Sequence, residues 1–471
     1  MSEKLIEAIK YVEQNRGINR LSYHITPSIG WLNDPNGLVY FRGEYHVFYQ
    51  TYPYDVKNSN IYWGHVKSKD LIHWEECPIA LAPDKEYDIN GCFTGSAVVV
   101  NDELVLMYTG HRLTKDGYVE TQNIAKSKDG INFIKYEGNP VILTVPVDTT
   151  HRFRDPKIWK EDDKFYVVIG GEDTKHNGKV LIYETRDLIN FSYKGVLASS
   201  TGNLGEVWEC PNFINIDDKD VLIISPKGLK DRTKFNYPYE SGYFIGKFDK
   251  NTETFIHGDY YKLDYGHDFY APQVFKDDNG RNIIIGWFGV PEAELKEVKF
   301  GWANALTLPR ELYLNKDNKL CMKPIKELLD LRLEKILDKR INVNDKKTYT
   351  VGNDSIELIL DISNIEANTK VVGVKINSES DYVEVLYYPS DNKIVLCRNT
   401  EDGKREATIT KKKDISMRIF IDKTTCEVFI EDGEVVFSSR IYFDGELKVN
   451  LVCNEGDCQA EIKAFNLKRI F

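Results

Sequence analysis

A short motif recurs along this chain with a period close to sixty residues, and a period of that length restricts the fold to stacked or radially arranged units. Ser68-Lys69-Asp70-Leu71-Ile72-His73-Trp74 is followed by Ser127-Lys128-Asp129-Gly130-Ile131-Asn132-Phe133 and by Thr185-Arg186-Asp187-Leu188-Ile189-Asn190-Phe191. The three aspartates are 59 and 58 residues apart, and a weaker fourth copy spans Asp249 to Phe255. A second signal keeps the same step. Apolar, β-branched or aromatic runs start near Glu44, Glu103, Lys164, Asp220 and Asn282, at spacings of 59, 61, 56 and 62. Bounded by Gly, Asp and Asn, such runs read as buried strands. Five copies of a multi-strand unit predict an all-β fold, a five-bladed β-propeller.

Three acidic motifs fall in register with that repeat. Asp34 in Trp31-Leu32-Asn33-Asp34-Pro35-Asn36-Gly37 precedes its run by 10 residues; Asp155 in Arg154-Asp155-Pro156 precedes by 9, and Glu209 in Trp208-Glu209-Cys210-Pro211 by 11. The same offset falls at Phe93-Thr94-Gly95-Ser96 in the second unit and beside Asp268-Phe269-Tyr270-Ala271-Pro272 in the fifth. If each run is a second strand, these segments are innermost strands. Radial geometry then turns all five toward one axis. Asp before Pro and Asn-Gly pairs also favour turns, but coincident offsets in three units are hard to obtain from turns alone.

Beyond the propeller, Pro324 to Lys339 carries helical spacing with few breakers and predicts a linking helix over 324–340. From 341 to 471 short alternating strands return, with a hairpin signal at Glu431-Asp432-Gly433-Glu434. That pattern predicts a C-terminal two-sheet β-sandwich. Residues 1–20 form an N-terminal helical extension, in which Leu5, Ile6, Ile9, Tyr11 and Val12 suit a short amphipathic helix. The propeller then spans 21–323. The sandwich region has no acids clustered beside aromatics, so it reads as a packing module, with sugar binding as the alternative.

A net charge of −11 argues against nucleic acid as a partner, because phosphate-backbone binding needs a basic footprint. The N-terminus is charged and lacks the apolar core of a signal peptide, and no run approaches a membrane span. These features lead us to expect a cytoplasmic protein. The eight cysteines have no metal-ligand spacing and read as free thiols in a reducing compartment. Cys210 as a nucleophile and Cys453 with Cys458 as half a metal site are the weaker readings. No metal or cofactor is expected. His24, His65 and His73 read as packed or hydrogen-bonded, and Lys57 and Lys157 as surface lysines or readers of a substrate phosphate.

Paired carboxylates around a scissile bond are the machinery of glycoside hydrolysis: one attacks or stabilises while the other donates a proton. Glu209, with a long side chain beside Trp208, Cys210 and Pro211, suits the acid/base, because an apolar setting disfavours ionisation. Asp34, flanked by Asn33 and Asn36, suits the nucleophile. Asp155 follows Arg154, which is expected to keep it ionised as a stabiliser that accepts sugar hydroxyls.

Taken in order, WLNDPNG, FTGSA, FRDPK, WECP and DFYAPQ resemble glycoside hydrolase family 32, the β-fructofuranosidases, over nearly the whole chain. The resemblance implies the same propeller and sandwich, and the same roles for Asp34, Asp155 and Glu209. It also implies substrate contacts from Asn33, Gln50, Phe93, Thr94, Arg154, Tyr270 and Trp287, with Trp31 shaping the pocket. One departure is that a Trp many members carry before the Trp-Gly-His sequence is here Asn58. GCFTGSA, SPKGL, ESGYFIGKFD and GHDFYAPQ are most similar to the intracellular bacterial subgroup that acts on sucrose 6-phosphate. The implied reaction is retaining hydrolysis of sucrose or sucrose 6-phosphate, a small-molecule sugar substrate. The alternatives are a fructan hydrolase, a fructosyltransferase and a non-catalytic sugar-binding propeller.

Overall fold

Each recurrent apolar run becomes the second strand of an antiparallel sheet in the computed structural model, which describes all residues except 232–236, Asn353, Glu401, Lys411 and Phe471. By contacts the chain divides into two units. The first comprises Met1–Arg20, Ile25–Lys262 and Tyr270–Leu306 and holds four sheets of the propeller and the inner strands of the fifth. Their innermost strands are Gly30–Phe41, Cys92–Val100, Thr149–Glu161, Val207–Ile216 and Tyr270–Lys276. Each of these touches the innermost strand of the next sheet, and the fifth touches the first, so the ring is closed. Gly30 and Trp31 also pair in parallel with Trp302 and Ala303, which ties the start of the first blade to the end of this unit.

The sixty-residue motif is a turn joining the third and fourth strands of a blade. Asp70 accepts from the backbone N–H groups of Ile72 and His73, Asp129 from those of Ile131 and Asn132, and Asp187 from those of Ile189 and Asn190. A carboxylate that stops a turn in this way satisfies donors the ladder leaves free. Asp249 repeats the device through Asn251 N.

Apolar faces of successive blades bury one another. Phe48, Trp63, Leu106 and Tyr108 pack between blades one and two, and Val168, Ile182, Trp208 and Phe244 between three and four. Trp208 is wholly buried and donates its indole N–H to Leu204 O at 2.7 Å. Its seat depends on Gly178, where an added Cβ would lie 2.3 Å from the indole Cδ1. The N-terminal helix spans Glu3–Gln14, starts on a Ser2 cap and buries Leu5 and Ala8 against Tyr62, Ile79 and Ala82.

The second unit comprises Leu21–His24, Leu263–Phe269 and Thr307–Phe471. Two six-stranded antiparallel sheets, built from strands between Arg332 and Leu467, enclose one apolar core. The expected hairpin at 431–434 joins Thr425–Ile430 to Val435–Arg440. The linking helix expected over 324–340 is corrected: a short 3-10 helix covers Lys326–Leu331, and Arg332–Val343 is a strand paired with Cys458–Leu467. Leu333 is 60 % exposed, so the helical spacing marked no buried stripe, and pairing at a sheet edge outweighs local propensity.

A buried charge network lies inside this unit. His24 sits between Asp422 and Glu427, each at 2.9 Å, and Ser22 N and Tyr23 N donate to Asp422. Arg310, also buried, bridges Glu427 and Asp264. These contacts explain why residues 21–24 and 263–269 cluster with the second unit. They also give His24 its hydrogen-bonded, structural place.

Candidate active site

All five innermost strands break register against their second strands at one level. The breaks fall between Leu32 and Pro35, Phe93 and Gly95, Arg154 and Lys157, Glu209 and Asn212, and Tyr270 and Gln273. A bulge of this kind re-aims a side chain and bends the strand. In the last three blades the residue before proline adopts a left-handed backbone: Asp155 at φ 64°, Cys210 at φ 49° and Ala271 at φ 48°. Such conformations are costly for non-glycine residues and are held only where the surroundings over-determine them. Repeated around the ring, the bulges gather Asp34, Thr94, Asp155, Glu209, Cys210 and Tyr270.

Asp34, half-buried, is held on both oxygens. Thr94 Oγ1 donates to Oδ2 at 2.6 Å and Asn33 Nδ2 to Oδ1 at 3.1 Å. A directed chain stands behind these bonds: Trp31 Nε1 donates to Asn33 Oδ1 (2.9 Å), Asn33 Nδ2 to Gln50 Oε1 (2.7 Å), and Gln50 Nε2 to Thr94 Oγ1 (2.6 Å). Every donor is therefore oriented toward the carboxylate. Burial pushes the Asp34 carboxyl up to about 6; the Thr94 bond opposes that rise, and the charge of Glu209 adds to it.

Asp155 is buried, accepts from Cys210 N at 2.9 Å, and is anchored through its own N–H to Thr109 Oγ1. The Cys210 thiol lies 3.6 Å from Asp34 Oδ2 and 3.5 Å from Asp155 Oδ2, so the two carboxylates share one weak donor. Burial, with Asp155, Asp34 and Glu209 nearby, drives that thiol well above its usual range, so it is no thiolate nucleophile.

Glu209 Oε2 accepts from Tyr270 OH at 2.8 Å, while Oε1 faces Arg154 at 3.5 Å and Lys227 at 3.8 Å. Its surroundings are thus more polar than its sequence neighbours suggested. Strand alternation sends Trp208 to the opposite face. A second expectation also changes. Arg154 does not clasp Asp155: its guanidinium engages Glu120 at 3.1 and 3.0 Å, and Tyr118 OH at 3.0 Å. Burial and then Glu209 raise Asp155 to about 8, and the pull of Arg154 does not reverse it.

Glu120 was not singled out by sequence reasoning. Buried at 2 % exposure, it also accepts from Phe153 N, and His111 lies at 3.3 Å. A lone acid in the run Tyr118-Val119-Glu120-Thr121-Gln122 was its only sequence signal. Thr109 and Lys227 likewise emerge as site residues from the fold. Aromatic walls complete the pocket: Trp31 and Tyr270 each meet Trp287 edge-on at 6.1 and 6.3 Å, and Phe93 stacks on His111 at 4.3 Å. Trp287 Nε1 is buried with no hydrogen-bond partner among the described residues.

Among the described residues no His, Cys, Asp and Glu cluster could hold a metal ion, and none of their helices is long and apolar enough to cross a membrane. His65 bonds to His46 at 2.9 Å and His73 to Asp70 at 2.8 Å, in keeping with packed and turn-stabilising roles.

A propeller hub carrying three carboxylates, fenced by aromatic rings and hydrogen-bond donors, defines a glycoside hydrolase. Comparison with known proteins gives the particular family. The profile for the glycosyl hydrolases family 32 N-terminal domain matches residues 24–324, and that for the family 32 C terminal matches 327–468. The chain belongs to glycosyl hydrolase family 32. It is 37% identical to a sucrose-6-phosphate hydrolase of Zymomonas mobilis over 92% of this chain and 89% of that one. It is 34% identical to a raffinose invertase of Escherichia coli over 92% of each chain. Among solved structures, a Bombyx mori GH32 beta-fructofuranosidase has a TM-score of 0.90 at 38% identity, covering 99% of this chain and 98% of that chain.

Proposed function

We propose that this protein is a retaining β-fructofuranosidase that hydrolyses sucrose or sucrose 6-phosphate and releases the fructose unit. The observation that carries the reading is the hydrogen-bonded cluster of Asp34, Asp155 and Glu209, one acid from each of three blades. Asp34 is the nucleophile. The chain from Trp31 to Thr94 fixes its carboxylate, and a pKa of about 6 leaves it mostly ionised at pH 7. It attacks the anomeric carbon of the fructosyl unit and forms a covalent fructosyl-enzyme. Glu209 delivers a proton to the departing glycosidic oxygen, then accepts one from the water that resolves the intermediate.

Asp155, whose carboxyl retains its proton through neutral pH, binds fructose hydroxyls beside the reacting centre. Asn33, Gln50, Thr94, Arg154, Tyr270 and Trp287 line the fructose position, with Trp31 and Phe93 at its walls. The unpartnered Trp287 N–H and the donor-rich Asn33–Gln50–Thr94 chain support this assignment, since buried donors seek acceptors. Relatives named sucrose-6-phosphate hydrolase support the substrate class, as does the Bombyx mori enzyme, of which a variant was solved in complex with sucrose. Lys227 and Arg154 beside Glu209 supply positive charge where a phosphorylated leaving sugar would lie. We place the enzyme in the cytoplasm. The support is eight free cysteines, six of them buried, which suit a reducing compartment.

Proton NMR of the first-formed fructose tests the mechanism: the β anomer is expected, and initial α-fructose refutes retention. Comparing kcat/KM for sucrose and its 6-phosphate identifies the preferred substrate.

A further inference from the structure

We propose that the end of the propeller axis opposite the three acids binds a small organic anion with an apolar body, and that Lys157 is its counter-ion. A cavity of about 1030 Å³ opens there, lined by residues 38–40, 97–99, 157–161, 213–215 and 274–276, one segment from each innermost strand. These segments begin two to four residues beyond Asp155, Thr94, Asp34, Glu209 and Tyr270, so at about 3.3 Å per residue their near edge, Lys157 included, lies about 7–13 Å further along the strands. Between the two levels, buried side chains tie neighbouring strands together. Ser96 Oγ donates to Pro156 O, and Asn212 Nδ2 donates to both Cys210 O and Pro272 O. The cavity lining includes none of the three acids.

Lys157 sets it apart from a water-filled hollow. The side chain is 7 % exposed, and its ammonium donates to Val274 O. An ammonium has three N–H donors. Among the described residues no carboxylate lies within ion-pair distance of it. Among the described residues, the other buried lysine of this unit, Lys179, is paired with Asp148, and the largely buried Lys135 with Asp84 and Asp88. Burying a cation without a counter-ion is costly, and desolvation alone brings Lys157 down to about 7. An arriving anion would remove that cost.

The rim favours the same occupant. Lys250 is paired with Glu161, and Lys247 lies 3.9 Å from Asp220. Lys160 and Lys276 have no carboxylate partner among the described residues, and the remaining lining acid is Asp249. The excess charge is positive. Val39, Val98, Trp159, Phe213, Phe248 and Val274 supply an apolar wall. A ring-bearing carboxylate or sulfonate fits this combination, whereas a neutral sugar would leave the ammonium unmatched.

The test is titration calorimetry of the full chain with naphthalene-2-sulfonate, in two buffers of different ionisation enthalpy. Binding that fixes Lys157 as an ammonium must take up a proton. With a pKa of about 7, the uptake at pH 7.5 is about 0.8 proton per ligand, falling close to zero at pH 5.5. Binding below 1 mM with this pH-dependent uptake, undisturbed by saturating sucrose, supports the site. Lys157→Met should then weaken binding at least tenfold and abolish the uptake. If that variant does not fold, the proton count on the unaltered chain decides alone. No saturable binding, binding without proton uptake, or displacement by sucrose overturns the proposal.

Discussion

Thr94→Val tests how the fold prepares the nucleophile. The substitution keeps side-chain volume but removes the hydroxyl that donates to Asp34 Oδ2 at 2.6 Å. Hydrogen bonds to a charged group contribute about 1.5–3 kcal/mol, equivalent to about 1–2 pKa units. The bond favours the ionised form, so its loss moves Asp34 upward from its present value of about 6. A nucleophile must be ionised, and activity therefore rises with pH through its pKa. For kcat/KM on sucrose, the acidic limb should move from about 6 to about 7–8. Below both values the variant loses about 10–100-fold, and at pH 9 this loss nearly disappears. The substitution also orphans Gln50 Nε2, a buried donor, which costs about 1–3 kcal/mol of stability and lowers Tm. Thr94→Ser, which retains the hydroxyl, should restore the limb. A pH profile measured from 4.5 to 9 decides the matter. An unmoved acidic limb in Thr94→Val, or a loss uniform across pH, refutes the assignment of Asp34 as the group this network tunes.

Three further outcomes are expected. Glu209→Gln should lower kcat on sucrose by about 10²–10⁴-fold, with a smaller loss on an aryl β-fructofuranoside whose leaving group needs no proton; equal losses on both would remove the acid role. Glu120→Gln leaves Arg154 without its main counter-charge and should cut kcat/KM at least tenfold at unchanged pH optimum, whereas wild-type kinetics would exclude Glu120 as the residue that positions Arg154. His24, held between Asp422 and Glu427, is raised to about 9. A raised histidine stabilises the folded state fully below its unfolded value near 6.5 and loses that stabilisation as pH climbs through 9. Urea unfolding should therefore show a decline between pH 7 and 10, on the order of 3 kcal/mol, that is absent in His24→Gln; parallel curves would contradict the buried ion triad.

Spacing alone carried the repeat, because strands and their turns must recur at the pitch of a blade. The start of every second strand, the Asp70, Asp129 and Asp187 turns, and the common offset of Asp34, Asp155 and Glu209 are all readable as intervals along the chain. Thr94 falls at the same offset in the second unit and Asn33 adjoins Asp34, although their roles as substrate contacts came from the family resemblance. What intervals cannot carry is direction. Trp208 and Glu209 are adjacent in sequence yet face opposite sides of one strand, so the apolar neighbour does not shelter the carboxylate. Arg154 precedes Asp155 but reaches Glu120, 34 residues away. Residues 324–340 have helical spacing, but only Lys326–Leu331 turn as a 3-10 helix, and an open sheet edge claims the stretch from Arg332 as strand. Only the paired sheets decide these matters: a sandwich edge in the last case, and in the ring the bulge that turns each innermost strand toward the axis where its ladder loses register with the second strand.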